Sequence, residues 1–200
     1  MPEAAVILWL VFGAVSIAGR FWYQRRLTND FGLRGLSGNA GSLEWWSGVL
    51  VAASFGVAGL VPLLEVLGVT RRSIASTGQI AVGIGTMMAG FAITFVAQIQ
   101  MGPSWRVGVR AGERTALVTG GLFRFVRNPI FSGVIVSAVG AAILVPRTLM
   151  AIAAVGSIVG IEIQVRRVEE PHLETTHGSP YADYASRVGR FVPGVGKKRR

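Results

Sequence analysis

The sequence predicts an all-α protein: an integral membrane helical bundle of about five transmembrane helices, with the N-terminus outside and the C-terminus cytoplasmic. Three observations predict it. The 200 residues are 51% hydrophobic but only 15% charged, whereas soluble domains carry about a quarter charged residues. The charges are clustered and leave long apolar stretches between them, of the length that a bilayer core demands of a helix. Lysines and arginines also alternate between the two sides of those stretches in a strongly unequal way.

The first apolar run covers residues 4–22 and closes on Arg20, Arg25 and Arg26. Only Glu3 precedes it, so it lacks the basic start of a signal peptide and reads as a first span. The second, residues 45–69, opens on Trp45 and Trp46, as an interfacial aromatic belt does. The third covers residues 74–101. A fourth, 129–145, and a fifth, 148–163, are short for spanning. With only Pro146 and Arg147 between them they predict a tight antiparallel hairpin. Gly133, Ser137 and Ala141 in the fourth run and Gly156 and Gly160 in the fifth recur at helical spacing. Small residues let backbones approach closely, which predicts that these two helices pack against each other.

Orientation follows from the basic residues. With the N-terminus outside, the inside holds Arg20, Arg25, Arg26 and Arg34, then Arg106, Arg110, Arg114, Arg124 and Arg127, then all those from Arg166 onward. Only Arg71, Arg72 and Arg147 of the 20 lysines and arginines remain outside, as the positive-inside rule requires. The polar segments 102–128 and 166–200 therefore flank the hairpin on the cytoplasmic side, where any chemical site should lie. This divides the chain into helices 1–3 over 1–101 and a C-terminal core over 102–200 that contains the hairpin 129–163.

The formal charge of +10 comes without zinc spacings or aromatic-interleaved basic strands, so membrane lipids with anionic headgroups, not nucleic acid, are its expected counter-charge. Absence of cysteine excludes disulfides, thiolate metal sites and Cys nucleophiles. Two histidines, His172 and His177, are too few for a His-based metal cluster, so no metal is expected.

Three constellations remain. In Arg127-Asn128-Pro129 the proline suits the first turn of a helix and Asn128 suits its N-cap. Read blandly, this is a cap with Arg127 reaching to headgroups. Read functionally, a helix N-terminus beside an arginine attracts a carboxylate or phosphate. If the fifth helix continues inward, Glu162, Arg166 and the Glu169-Glu170 pair share one face, as a salt-bridge ladder or as acceptors for a ligand's hydroxyl or ammonium group. Tyr181 and Tyr184 lie three apart, as belt residues or as pocket walls, and His177 precedes Gly178 in a turn.

The C-terminal residues Glu169, Glu170, Leu173, Gly178, Tyr181, Tyr184, Arg190, Phe191 and Pro193 fit the pattern E-E-x-x-L-x(4)-G-x-x-Y-x-x-Y-x(5)-R-F-x-P. Upstream, Leu117, Val118, Gly121, Phe123, Arg127, Pro129 and Phe131 fit L-V-x-x-G-x-[FY]-x-x-x-R-x-P-x-[FY]. Together they resemble the isoprenylcysteine carboxyl methyltransferase family and its phospholipid N-methyltransferase relatives, over residues 100–195. The resemblance implies a membrane bundle that encloses S-adenosylmethionine at its cytoplasmic face. It implies backbone contacts from Leu117 and Val118 to the adenosine, with Arg127, Asn128 and Phe131 at the methionine end. Glu169 and Glu170 would bind polar groups of the cofactor, and Tyr181 and Tyr184 would close the pocket. Gly121, Leu173 and His177 fall within the matched blocks and join the cofactor-binding set. Arg190 would face the cofactor or an anionic acceptor, and with Glu170 it forms the expected catalytic pair.

Two positions depart from the family pattern. Asn128 stands where a histidine is usual and cannot shuttle a proton near neutral pH. His177 stands where an aromatic is usual. The implied reaction is methyl transfer to a carboxylate, or another nucleophile, of an amphiphilic small molecule or prenylated acceptor; an amine acceptor would need Glu169, Glu170 or His177 to take its proton. The rival readings are a sterol-reductase-like enzyme using NADPH and a non-catalytic scaffold or transporter. Against a transporter, span centres are nearly free of charge. The marked excess of arginine over lysine associates with a bacterial source, hence a bacterial cytoplasmic membrane. The oligomeric state stays open.

Overall fold

The computed structural model describes residues 1–108 and 115–198; Arg110, Arg114, Arg199 and Arg200, counted above for orientation, lie outside the described residues. Among the described residues there are six longer helices, two short 3₁₀ turns at Gly102–Ser104 and Gly121–Arg124, and no strand. Helix α1 (Pro2–Thr28) begins with a proline in its first turn, where the missing N–H costs nothing. It passes through a π-helical stretch at Gly13–Gly19 and stops at Asn29, whose φ of 58° is left-handed. Helix α2 (Leu43–Val66) starts where Ser42 Oγ accepts from the Trp45 N–H at 3.2 Å. Helix α3 (Thr77–Met101) starts later than the apolar run predicted. Its first turn is fixed by a capping box in which Ser76 and Gln79 satisfy each other's backbone N–H groups at 3.2 and 2.9 Å.

Helix α4 (Pro129–Leu144) begins at the proline, as expected, but Asn128 makes no side-chain cap. Its amide donates instead to the Arg190 carbonyl at 3.2 Å. Helix α5 (Thr148–His177) runs well past the predicted end at residue 163. It does so through a π-helical turn at Val165–Glu169 immediately before Pro171. A wider turn there relieves the clash a proline ring would make with the preceding turn. The extra residue also rotates the remainder of the helix by about 100°. Glu162 and Arg166 accordingly form an exposed i,i+4 ion pair, while Glu170 turns inward and is 3% exposed. Helix α6 (Ser179–Arg187) begins two residues later.

Helices α1, α2, α3 and α5 are long and apolar enough to cross a membrane; α4, at 16 residues, is shorter, about 24 Å at 1.5 Å per residue. The bundle is apolar outside and polar within, the inverse of a soluble domain. Ile7, Leu10, Val82, Ile99, Ile152 and Val155 are exposed, while Ser16, Ser47, Ser54, Thr94, Ser137 and Ser157 are buried.

The small residues mediate different contacts from those expected. Gly133 packs on α3, where an added Cβ would lie 2.6 Å from the Gly90 carbonyl. Gly160 packs on α2, where a Cβ would lie 2.9 Å from the Ser47 carbonyl. The closest pairs in the bundle are therefore α3 with α4 and α2 with α5, not the two arms of the hairpin. Small residues encode close approach but not its partner. At the end where the hairpin turns, fully buried Glu65 receives Arg147 Nε at 2.7 Å and the Ser73 N–H and hydroxyl at 3.0 and 2.9 Å. Arg72 pairs there with Glu3 at 2.7 Å.

Candidate active site

The opposite end of the bundle gathers the chain that leads into α4, the end of α5, α6 and residues 188–198. Gly121, at φ 58°, opens the short helical turn that leads into α4, and Gln100 Oε1 near the end of α3 holds that turn through the Leu122 N–H at 2.7 Å. Residues 126–128 then run beside 189–190, with Arg127 N–H donating to the Gly189 carbonyl at 2.8 Å and Asn128 N–H to that of Arg190 at 3.1 Å. Ser132 Oγ adds a bond to the Phe191 carbonyl at 2.8 Å. The segment after α6 is thus strapped across the start of α4.

Beneath the strap lies a buried ion cluster. Glu170 Oε1 accepts from Arg127 Nη2 at 2.7 Å and from Arg190 Nε at 2.8 Å, and Glu170 Oε2 from Arg190 Nη2 at 3.0 Å. Lys198 stands 3.6 Å from the same carboxylate. Arg127 Nη1 also donates to the Ala185 and Val188 carbonyls at 3.0 and 2.5 Å, which leaves its buried Nε without a partner. The Glu170 hydrogen bonds push the Arg190 pKa up, so it is a permanent cation. Tyr184 donates its hydroxyl to the Phe123 carbonyl at 2.6 Å. Burial raises its pKa from 10.0 to about 12 and raises that of Tyr181 further, so both phenols are neutral.

A cavity of about 580 Å³ opens against this cluster, within the usual range for small-molecule sites. From the upstream motif Leu117, Val118, Arg127, Asn128 and Phe131 line it, and from the downstream motif Glu169, Leu173, Tyr181 and Tyr184. Gly121, Glu170, His177 and Arg190 are not part of its lining. Gly121 serves the turn, and Glu170 and Arg190 are spent on each other and on Arg127. The histidine that does face the cavity is His172, 3.4 Å from Arg106 Nη2. Arg106 and Thr115 join it on the lining, bonded to each other at 2.9 Å. These three carry no motif, and only the phase set by the π-helical turn before Pro171 brings His172 round.

The cavity does not stop at the polar end. It continues between the helices along Trp9 and Phe12 of α1, Phe55 of α2 and Met87 and Phe91 of α3. From Met101 to Met87 it follows α3 for about 21 Å. Phe12 stacks on Phe91 at 4.6 Å, and Trp9 meets Phe55 in a tilted contact at 5.1 Å, so this arm is lined by aromatic rings. Among the described residues no group of three or more histidines or carboxylates could hold a metal.

Residues 78–179, just over half of the chain, match the model of the phospholipid methyltransferase family. The chain belongs to this family. The match takes in all but the first residue of α3 and the motif residues from Leu117 to Gly178, whereas Tyr181, Tyr184 and Arg190 lie beyond it; it thus begins further upstream than the resemblance over residues 100–195. Among curated relatives of this phospholipid methyltransferase family member is protein-S-isoprenylcysteine O-methyltransferase B of Arabidopsis thaliana. It is 28% identical over 156 residues, which is 74% of this chain and 78% of the relative. Among solved structures, a eukaryotic isoprenylcysteine carboxyl methyltransferase, described as an intramembrane Ras methyltransferase, superposes with a TM-score of 0.63. That match covers 100% of this chain and 70% of the other at 17% identity, and it shows the shared fold. The protein is an isoprenylcysteine-methyltransferase-like integral membrane protein, and its family implies methyltransferase activity.

Proposed function

We propose that the protein is an S-adenosylmethionine-dependent methyltransferase that acts at the cytoplasmic face on the carboxylate of a lipid-like or prenylated acceptor. One observation carries this reading: a single cavity joins the motif-lined polar pocket to an aromatic arm between the spans. A polar cofactor and an apolar tail can therefore meet in one enclosed space.

The residues fit the cofactor. Leu117 and Val118 offer backbone edges, and Glu169 offers a carboxylate for hydroxyl or ammonium groups. The first turn of α4, which no side chain caps, presents the positive end of its dipole to a carboxylate. Arg127 Nε is a buried donor with nothing to bond. S-adenosylmethionine would supply an electrophilic methyl group on a cationic sulfur. A carboxylate acceptor is nucleophilic as it stands, so no residue need take a proton, and Asn128 in place of histidine is no obstacle. The chain's contribution is alignment and exclusion of water, and alignment alone supplies roughly 7–11 kcal/mol in well-oriented systems. Glu170 and Arg190 act in this reading by fixing Arg127 and the strap, as positioning residues.

Titrating the detergent-solubilised protein with S-adenosylmethionine, and in parallel with NADPH, tests the proposal. Saturable binding of the former alone is expected. A folded sample that binds NADPH and not S-adenosylmethionine would make it a reductase.

A further inference from the structure

A charged cofactor has to enter and leave the cavity, and the walls limit how. All five long helices contribute to the lining and turn apolar side chains outward, so a charged molecule passing between them would lose its hydration at high cost. Exchange therefore belongs to the polar end, which has two closures. One is α6 with the strap beside it. The other is the loop of residues 29–42 between α1 and α2, whose Gly35, Leu36 and Ser37 line the cavity. This loop lies upstream of the family match at 78–179.

The two closures are fastened differently. The strap is tied by charge, through the three bonds that Arg127 and Arg190 make to Glu170. Where the loop meets its surroundings its bonds are neutral. Arg34 N–H donates to the Val107 carbonyl at 2.9 Å, and Val107 N–H to the Gly32 carbonyl at 2.8 Å. Gln164 Nε2 donates to Ser37 Oγ at 3.1 Å. The ion pair between Asp30 and Arg34 lies within the loop and travels with it. Charge-assisted bonds are roughly twice as strong as neutral ones. Apolar burial adds little, because Phe31, Leu33 and Leu36 are all exposed, and segments held in this way open at the lowest free energy. The loop is also jointed. Gly32, Gly35, Gly38 and Gly41 all sit at left-handed φ, between 73° and 87°, and glycine moves between backbone regions without a Cβ clash. Asn29 and Ser42 fix its ends, where the flanking helices stop and start.

We propose that the loop of residues 29–42 is a lid through which S-adenosylmethionine enters and its demethylated product leaves, while the strap stays shut. The inference rests on the methyltransferase reading and adds a gate to it. Opening breaks the two backbone bonds to Val107 and the bond from Gln164 to Ser37, and it leaves the Glu170 cluster and the Arg127 side of the pocket in place. A segment that carries none of the motifs thus controls exchange at a site built from them. Lids of this kind set turnover through product release in many enzymes.

Amide hydrogen exchange of the full-length wild-type protein in detergent, with and without S-adenosylmethionine, tests the lid. Without cofactor, the Arg34 and Val107 amides that close the loop should exchange before the Arg127 and Asn128 amides that bind the strap. Cofactor at ten times its dissociation constant should slow the loop amides about tenfold, as binding to the closed form alone requires. Strap amides that exchange first, or loop amides that ignore bound cofactor, would overturn the proposal. A second measurement locks the loop. The chain has no cysteine, and Leu33 and Val107 face each other in an isolated bridge and are both exposed, so Leu33→Cys/Val107→Cys places a lone thiol pair within disulfide reach. Release of bound S-adenosylmethionine should be at least tenfold slower in the oxidised variant and recover on reduction; equal rates in the two states would also overturn the lid. Cofactor binding is read separately by titration of the wild type. Its absence would refute the methyltransferase reading, whereas binding that leaves the loop amides unchanged refutes only the lid.

Discussion

Replacing Glu170 with alanine should be the most damaging single change at the site end of the bundle. The carboxylate is 3% exposed and faces Arg127 and Arg190, which are 6% and 9% exposed. It takes three charge-assisted bonds at 2.7, 2.8 and 3.0 Å. Glu170→Ala leaves two buried guanidinium groups facing each other with no anion between them. Breaking a buried pair on one side costs about 3–5 kcal/mol, equivalent to a drop in melting temperature of roughly 6–20 °C for a chain of this size. Glu170→Gln should fall between, because the amide keeps one acceptor oxygen but turns an N–H toward Arg190 Nη2. Glu162→Ala provides the control. Its pair with Arg166 is exposed and should be worth no more than about 0.5 kcal/mol. Thermal unfolding followed by tryptophan fluorescence in detergent reads all three. Equal shifts for Glu170→Ala and Glu162→Ala would refute the idea that the buried cluster holds the site together. In the Glu170→Ala/Arg190→Ala double variant the losses should be less than additive, since the second change removes a charge the first left unpaired.

The geometry sets three further outcomes. Gly133→Val should destabilise the bundle by about 1–3 kcal/mol or more through overpacking, because the α3 backbone leaves no room for a Cβ there; a variant that melts like the wild type would contradict that packing. The raised Tyr184 pKa means its neutral form is favoured in the folded state. Stability is therefore fully present below 10.0 and lost as pH rises toward about 12; Tyr184→Phe should flatten that alkaline loss while costing about 1 kcal/mol at neutral pH for the bond to Phe123, both measured by melting curves against pH. Arg127→Ala should weaken S-adenosylmethionine binding in a titration, and Arg25→Ala should leave it unchanged; equal effects would make both residues headgroup anchors.

The spans were legible because each is bounded by charges and aromatic residues that end an apolar run. The true length of α5 was not. Polarity rises after residue 163 while the helix continues for another four turns at the membrane edge, and the one local signal of the π-helical turn is Pro171. That same turn decides the phase of the two histidines: the family resemblance put His177 in the cofactor-binding set, whereas His172 is the histidine that lines the cavity. Asn128 shows a different limit. The helix start it marks is local and was readable, but the bond its side chain makes is to a carbonyl 62 residues away. The motifs grouped the site residues without telling those that face the cavity from those that hold the facing ones in place. Glu170 and Arg190 do not line the cavity, and their mutual pairing with Arg127 through the Glu170 carboxylate is a contact that no spacing in the sequence shows.

The strap has a consequence for how the protein is made. Helices α1 to α5 can enter the bilayer as translation proceeds, because their pairings are complete without residues 188–198. The wall of the pocket is not complete, since the Ala185, Val188 and Gly196 carbonyls that share Arg127 emerge from the ribosome after those helices. Insertion and competence are therefore separate events in time. A ribosome that stops short of Gly196 would release a fully inserted bundle whose pocket has no closed end.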